Sequence, residues 1–220
     1  MIKLVIFDLD GTLLNTIEDL ANSTNFALRQ HDFPMHPVEA YNFFVGNGIA
    51  KLIERALPGN SRTQETISVV KRTFLKHYSE NTEVYTKPYP GIVELLVKIQ
   101  QEGYKIAIAS NKFHAGTSKL AKYFFPDIEF AAVLGQRENF PTKPDPSIVE
   151  EILAKTKTPK ANVLYVGDSG VDVMTAHNAD VSFVGVLWGF RPRNELEALG
   201  AKIFVQNTQE LYDLIKSGEL

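Results

Sequence analysis

Short runs of consecutive apolar residues punctuate the chain, and their continuity is the first guide to the fold. Leu4 to Phe7, Ile106 to Ala109, Phe130 to Leu134, Val163 to Val166, Phe183 to Leu187 and Ile203 to Val205 are unbroken rather than alternating. Strands buried on both faces read this way, which is the pattern of a parallel sheet covered by helices. After residue 88 these runs alternate with stretches of helical spacing. Ile92, Leu95, Leu96 and Ile99 share one helical face, with Gly103 beyond them as a stop. Ile148, Ile152 and Leu153 form another, opened by Pro144-Asp145-Pro146. The alternation predicts an α/β fold, a doubly wound and mostly parallel sheet with a Rossmann-like core.

Residues 16–84 break the rhythm and read as helix throughout: Ile17, Leu20, Thr24 and Leu28, then Tyr41 to Phe44, Ile49 to Leu57, and Ile67 to Tyr78. The expected organisation is therefore a core of residues 1–15 and 85–220 with an all-helical cap of residues 16–84 inserted after the first strand. The chain returns near Pro88-Tyr89-Pro90-Gly91. An insert at that point lies over the carboxyl ends of the strands, where open α/β sheets bind ligands, so it is expected to act as a lid. There is no internal repeat and no low-complexity stretch.

Composition narrows the class. Of the 220 residues, 44% are hydrophobic, enough for a sizeable core, and no apolar run reaches the length needed to cross a membrane. Met1 to Phe7 is too short for a signal core, and Asp8 and Asp10 follow it at once. The formal net charge of −3 gives no reason to expect nucleic acid or an anionic membrane as partner. The absence of cysteine excludes disulfides, thiolate nucleophiles and zinc–sulfur sites. A soluble, cytoplasmic protein is expected, as a monomer or a homodimer.

Four polar clusters follow the expected strands. Asp8-Leu9-Asp10-Gly11-Thr12 ends the first. Two carboxylates at one strand end repel each other unless a cation or a shared proton compensates, and magnesium suits a set of oxygen ligands that includes phosphate. Gly11 lets the backbone turn and aim an amide at an anion. Taken alone, the pair serves equally well to cap a turn. Ser110-Asn111-Lys112 ends the second strand, and a hydroxyl with strand-end amides can donate to phosphate oxygens, or simply cap the next helix. Lys143, set among prolines in Thr142-Lys143-Pro144-Asp145-Pro146, can neutralise a phosphoryl group and a carboxylate together; an ordinary solvated lysine is the plain alternative. Gly167-Asp168-Ser169-Gly170-Val171-Asp172 ends the strand Val163 to Val166, and Asp168 and Asp172 stand four apart at a helix start, where they can share an ion or serve as cap and first-turn acid. The four clusters converge on one edge of one sheet, supplying a metal site, a phosphate site and a spare nucleophile.

In this order and spacing, Asp8-x-Asp10-Gly11-Thr12, Ser110-Asn111, Lys143-Pro144 and Gly167-Asp168-x-x-x-Asp172 resemble the haloacid-dehalogenase superfamily of phosphohydrolases over the whole chain. The subgroup most resembled is the phosphoglycolate phosphatase type with a helical cap, supported by Tyr89-Pro90-Gly91, Val45-Gly46-Asn47-Gly48 and Gly185-Val186-Leu187-Trp188-Gly189-Phe190. The resemblance implies Asp8 as nucleophile forming an aspartyl phosphate, and Asp10 as general acid and base. It implies Mg2+ held by Asp8, the Asp10 carbonyl and Asp168, and Asp172 orienting metal-bound water or Lys143 from behind. Ser110, the Asn111 amide and Lys143 are then expected to hold the phosphoryl oxygens, with Gly11, Thr12 and Asn47 at the substrate. An acid at Asp10 separates this pattern from the true dehalogenases, which lack it and need no magnesium. Asn15-Thr16 and Asn178-Ala179-Asp180 depart from the subgroup's usual Asp-Ser and helix-ending glycine, without touching the chemistry.

The implied activity is hydrolysis of a small phosphorylated metabolite, with 2-phosphoglycolate leading. A sugar phosphomutase of the β-phosphoglucomutase kind or an inorganic pyrophosphatase runs on the same core, and a non-catalytic binding protein is disfavoured by the retained acids, because buried carboxylates are costly without a use. Lys51 and Arg55 read as a solvated helix face, Phe43-Phe44 as cap core, Trp188 and Phe190 as core or hinge residues, and His77 and His177 have no ligand spacing.

Overall fold

The computed structural model describes residues 1–219. Six strands form one sheet: β1 (Leu4–Phe7), β4 (Lys105–Phe113), β5 (Phe130–Gln136), β6 (Val163–Gly167), β7 (Ser182–Val186) and β8 (Phe204–Val205). Their spatial order is β5-β4-β1-β6-β7-β8, and every neighbouring pair is parallel. Side chains alternate across the sheet, so β1 serves two cores. Val5 and Phe7 join a cluster with α5 (Ile92–Gln101), α6 (His114–Phe124) and α10 (Thr208–Ser217), whereas Leu4 and Ile6 join one with α7 (Ser147–Thr156) and α8 (Gly170–Ala179). Burial on both faces is what removes the polar alternation from the sequence. The short helix α9 (Arg193–Ala198) precedes β8.

The expected elements are present, and their ends obey local chemistry. Gly103 follows α5 with φ of 84°, and α8 stops at Asp180 in the left-handed region with φ of 56°, so an aspartate replaces the usual glycine there. Asp145 Oδ1 accepts from the Ser147 amide at 2.9 Å at the start of α7. Two features differ from the expected pattern. Strand β4 runs on to Phe113, carrying Ser110, Asn111 and Lys112 within it rather than just beyond it. A second, two-stranded antiparallel ribbon pairs β2 (Leu14–Asn15) with β3 (Lys87–Pro88).

Between the two ribbon strands lie α1 (Ile17–Gln30), α2 (Tyr41–Phe44), α3 (Ile49–Ala56) and α4 (Gln64–Glu80), packed on a core of their own that includes Leu28, Tyr41, Ile53, Phe74 and Tyr78. The ribbon brings the exit and return of this helical unit side by side. Just inside it, the buried Asp19 carboxylate accepts hydrogen bonds from the Tyr85 amide (3.0 Å), the Thr86 amide (2.8 Å) and the Thr86 hydroxyl (2.7 Å), tying α1 to the returning chain. None of the described helices is long and apolar enough to cross a membrane.

Asp19→Ala leaves the buried Thr86 amide and hydroxyl without a partner and frees the partly buried Tyr85 amide, so the folded state should lose about 2 kcal/mol, read as a lowered urea midpoint; an unchanged midpoint contradicts the tie.

Candidate active site

β1 lies between β4 and β6; the chain runs outward from it through β4 to β5 and then crosses back to β6 on its other side, so the strand order reverses at β1 and the carboxyl ends of these three strands frame a crevice. Asp8 is the first residue beyond β1, its amide held by the Val166 carbonyl at 2.9 Å. The loop that follows is tight: the amides of Thr12, Leu13 and Leu14 all point at the Leu9 carbonyl, and Gly11 adopts φ of 94°. A side chain at Gly11 would sit 2.7 Å from the Asp168 carboxyl carbon, so only glycine lets the two loops meet. Asp168 is the first residue beyond β6. Ser169 caps α8, and Asp172 closes a capping box with it, its Oδ2 accepting from the Ser169 amide at 3.2 Å and hydroxyl at 2.6 Å.

At the centre is the Lys143 ammonium. It reaches Asp172 Oδ1 at 2.7 Å, Asp8 Oδ1 at 2.9 Å, the Ala109 carbonyl at 3.0 Å and the Tyr165 hydroxyl at 3.1 Å. Asp8, Asp168 and Asp172 each offer a carboxylate oxygen within 4.8 Å of the others, and all three are buried. Burial pushes the Asp8 carboxyl up to about 7, with Asp172 and Asp10 adding to the rise and Lys143 opposing it. Asp168 is raised well above the carboxylate range by burial, then by Asp172 and Asp8. Lys143 is held well above its ordinary value because Asp172 and Asp8 outweigh its own desolvation. Three buried carboxylates face one buried ammonium, an imbalance that a bound cation corrects. Asp172 has both oxygens committed to protein donors, whereas Asp168 accepts one bond on each, from the Thr12 hydroxyl (3.1 Å) and the Phe190 amide (2.8 Å), leaving lone pairs over.

The other expected residues are distributed unevenly. Ser110 is buried in the crevice wall, its hydroxyl accepting from the Lys112 amide at 3.2 Å and keeping its own proton to donate. The Asn111 side chain is occupied: it donates to the Gly46 and Lys143 carbonyls, both at 3.0 Å, and accepts from the Lys143 amide at 2.8 Å. It thereby positions Lys143 and docks the helical unit. The Asp10 carboxylate turns to the Lys112 ammonium at 3.1 Å. Asn47 is not brought to the cavity, since its oxygen is taken by Arg55 Nη2 at 2.7 Å and its neighbours Val45, Gly46 and Gly48 form the wall instead.

Two groups drew no expectation, and a strap whose Trp188 and Phe190 read as core or hinge residues holds the site as well. Lys112 is buried between Asp10 and the Tyr78 hydroxyl, and those two partners raise its pKa despite desolvation. Tyr165 supports Lys143 from within β6; a phenol in an apolar run needs a partner, and that was its one signal. The strap from Trp188 to Arg191 joins three parts. Trp188 Nε1 donates to the Thr12 carbonyl at 3.0 Å, the Phe190 amide to Asp168, and Arg191 to the Val45 carbonyl of the helical unit at 3.0 Å.

With this geometry in view, comparison with known proteins is decisive. Residues 5–186 match the model of the haloacid dehalogenase-like hydrolases. The chain belongs to that family. Within the haloacid dehalogenase-like hydrolases it is similar to the phosphoglycolate phosphatase of Mannheimia succiniciproducens, with 34% identity over 86% of this chain and 87% of that one, and to that of Mesorhizobium japonicum, with 33% identity over 88% and 86%. Among solved structures, one from Lactobacillus delbrueckii subsp. bulgaricus superposes with a TM-score of 0.91 at 29% identity, covering 97% of this chain and 98% of the other. The chain is a hydrolase of phosphoric monoesters, phosphoglycolate phosphatase-like in sequence.

Gly189 packs so closely that a methyl group there would lie 2.5 Å from the Gly11 carbonyl and 2.6 Å from the Asp168 carboxyl carbon. Gly189→Ala should therefore displace Asp168 and lower kcat about a hundredfold, the cost of a displacement near 1 Å; full turnover contradicts this. The raised Asp8 pKa also has a thermodynamic sign. Its folded value of about 7 exceeds the ordinary 3.8, so protonation favours the fold. That contribution is complete below the ordinary value and vanishes as pH rises through 7. In chelator, the stability of the wild type relative to Asp8→Asn should fall between pH 4 and 8 in urea titrations, and a rising difference refutes the assignment.

Proposed function

We propose that the chain is a cytoplasmic, magnesium-dependent phosphomonoesterase that forms an aspartyl phosphate on Asp8, with 2-phosphoglycolate as its leading substrate. The observation that carries this reading is the convergence of Asp8, Asp168 and the Lys143 ammonium in one buried crevice, beside a cavity lined by Asp8, Asp10 and Ser110. The donor set fits the metal: all the ligands are oxygens, their charges are in excess of the one nearby cation, and Asp168 retains free lone pairs. Asp8, Asp168 and the Asp10 carbonyl would hold Mg2+, which supplies charge neutralisation between the nucleophile and an anionic substrate.

The chain's own residues divide the rest of the work. Asp8 Oδ2, the oxygen away from Lys143, attacks phosphorus in line; the bond to the ester oxygen breaks as the bond to Asp8 forms. Asp10 gives its proton to the departing oxygen and takes one from the water that later cleaves the aspartyl phosphate. The Ser110 hydroxyl, the Asn111 backbone amide and Lys143 bind the phosphoryl oxygens, where fixed donors lower the barrier most. Asp172 holds Lys143 in place. Gly11 and Thr12 shape the loop that carries Asp10. Residues 16–84 serve as the cap and residues 1–15 with 85–220 as the catalytic core.

On the side of the helical unit the cavity walls are apolar, formed by Leu20, Val45, Ile49 and Leu52, which suits a leaving group with few hydroxyls better than a hexose and favours the phosphatase over the sugar phosphomutase. A phosphate-release screen with magnesium, covering 2-phosphoglycolate, pyrophosphate, glucose 1-phosphate and nucleoside monophosphates, tests the reading. The two-carbon ester should lead in kcat/KM, chelation should abolish release, and Asp8→Asn should lower it by about a thousandfold or more. Undiminished activity in Asp8→Asn removes the nucleophile, and preference for pyrophosphate removes the substrate.

A further inference from the structure

The buried ammonium of Lys112 has no part in the chemistry assigned above. Its side chain is 2% exposed, and it lines the same small cavity as Asp8, Asp10 and Ser110. An ammonium carries three donors. Its acceptors are the two Asp10 oxygens, at 3.1 and 3.4 Å, and the Tyr78 hydroxyl, and the 3.4 Å contact is long enough to be exchanged for a substrate oxygen. On the side of the helical unit the cavity walls are apolar, formed by Leu20, Val45, Ile49 and Leu52. Lys112 is the one cation among the lining residues. Of the cations nearest by, Lys143 is committed to Asp8 and Asp172, Lys51 pairs with Glu54 outside, and Arg55 is engaged by Asn47 and the Phe44 carbonyl.

We propose that Lys112, held by Tyr78, is a specificity-determining residue that selects esters whose leaving group ends in a carboxylate. The inference deepens the phosphatase reading and rests on it. The leaving oxygen must lie beside Asp10 to receive its proton. In a 2-phospho acid a single carbon separates that oxygen from the carboxylate, so the anion falls next to Asp10, where the ammonium sits at 3.1 Å. An anion enclosed by apolar walls is stable only beside a cation, and a substrate carboxylate can replace the long 3.4 Å contact from Lys112 to Asp10, which a neutral leaving group cannot. Tyr78 comes from α4 of the helical unit and Lys112 from β4, so the selective contact is complete only when the two parts are docked.

The test compares 2-phosphoglycolate with ethyl phosphate, which has the same two-carbon skeleton and no carboxylate, in the wild type and in Lys112→Met, Lys112→Arg and Tyr78→Phe, all with magnesium. The wild type should prefer the carboxylate by about a hundredfold in kcat/KM, the worth of a charge-assisted hydrogen bond. Lys112→Met should slow both substrates, because Asp10 loses its partner, but the ratio should collapse to about tenfold or less, chiefly through KM for 2-phosphoglycolate. Lys112→Arg should retain most of the ratio, and Tyr78→Phe an intermediate value; these two keep the test open if Lys112→Met fails to fold. If both substrates slow equally and the ratio stands, Lys112 only positions Asp10 and the inference falls. Equal turnover of both esters by the wild type overturns it alone, while turnover of neither overturns the phosphatase reading beneath it.

Discussion

The site depends on a charge imbalance that the fold keeps away from water. Asp8, Asp168 and Asp172 are buried together around the single ammonium of Lys143. In bulk solvent such a cluster would disperse; here its members are fixed from different directions. Asp8 is placed by the end of β1, Asp168 by the end of β6, Asp172 by the capping box of α8, and Lys143 by the side chain of Asn111. Because each group is anchored by backbone, none can turn away to relieve the repulsion, and their pKa values move instead. The same repulsion makes the crevice receptive to a cation.

Parallel topology explains why so few residues suffice. Three neighbouring strands run in parallel register, so residues 8, 110 and 168, far apart in sequence, arrive together without long loops. The glycines complete the approach. Gly11 and Gly189 both press on Asp168, and a Cβ at either would overlap its carboxyl group. The sheet brings the carboxylates near one another, and the missing side chains bring them within reach of one ion.

Much of this was legible in the sequence, and the exceptions have physical causes. The strands were visible because burial on both faces makes them continuously apolar. The four polar clusters were visible because each follows such a run. The ribbon of Leu14–Asn15 with Lys87–Pro88 was not, since two-residue strands carry no periodicity and are defined only by their partner. The extension of β4 through Ser110-Asn111-Lys112 was hidden because site residues replaced the apolar ones that mark a strand. Lys112 itself gave no signal: its partners Asp10 and Tyr78 are 102 and 34 positions away, and nothing local sets a buried lysine apart from a solvated one. Asn47 showed the reverse. It was expected at the substrate, but Arg55 of the adjacent helix captures its side chain.

Contacts between the helical unit and the sheet are made by residues that also shape the site, and this joins docking to chemistry. Asn111 holds the Gly46 carbonyl with the same amide that fixes Lys143. Arg191 grips Val45, while the adjacent residue, Phe190, orients Asp168. Tyr78 reaches Lys112, and through it Asp10. If the helical unit moved away, each of these bonds would break, and each breakage would loosen one element of the crevice: the Lys143 ammonium, the Asp168 carboxylate and the Asp10 carboxylate. Docking therefore completes the polar arrangement as well as covering the crevice, so the helical unit and the sheet are coupled through the very groups that the proposed hydrolysis would use.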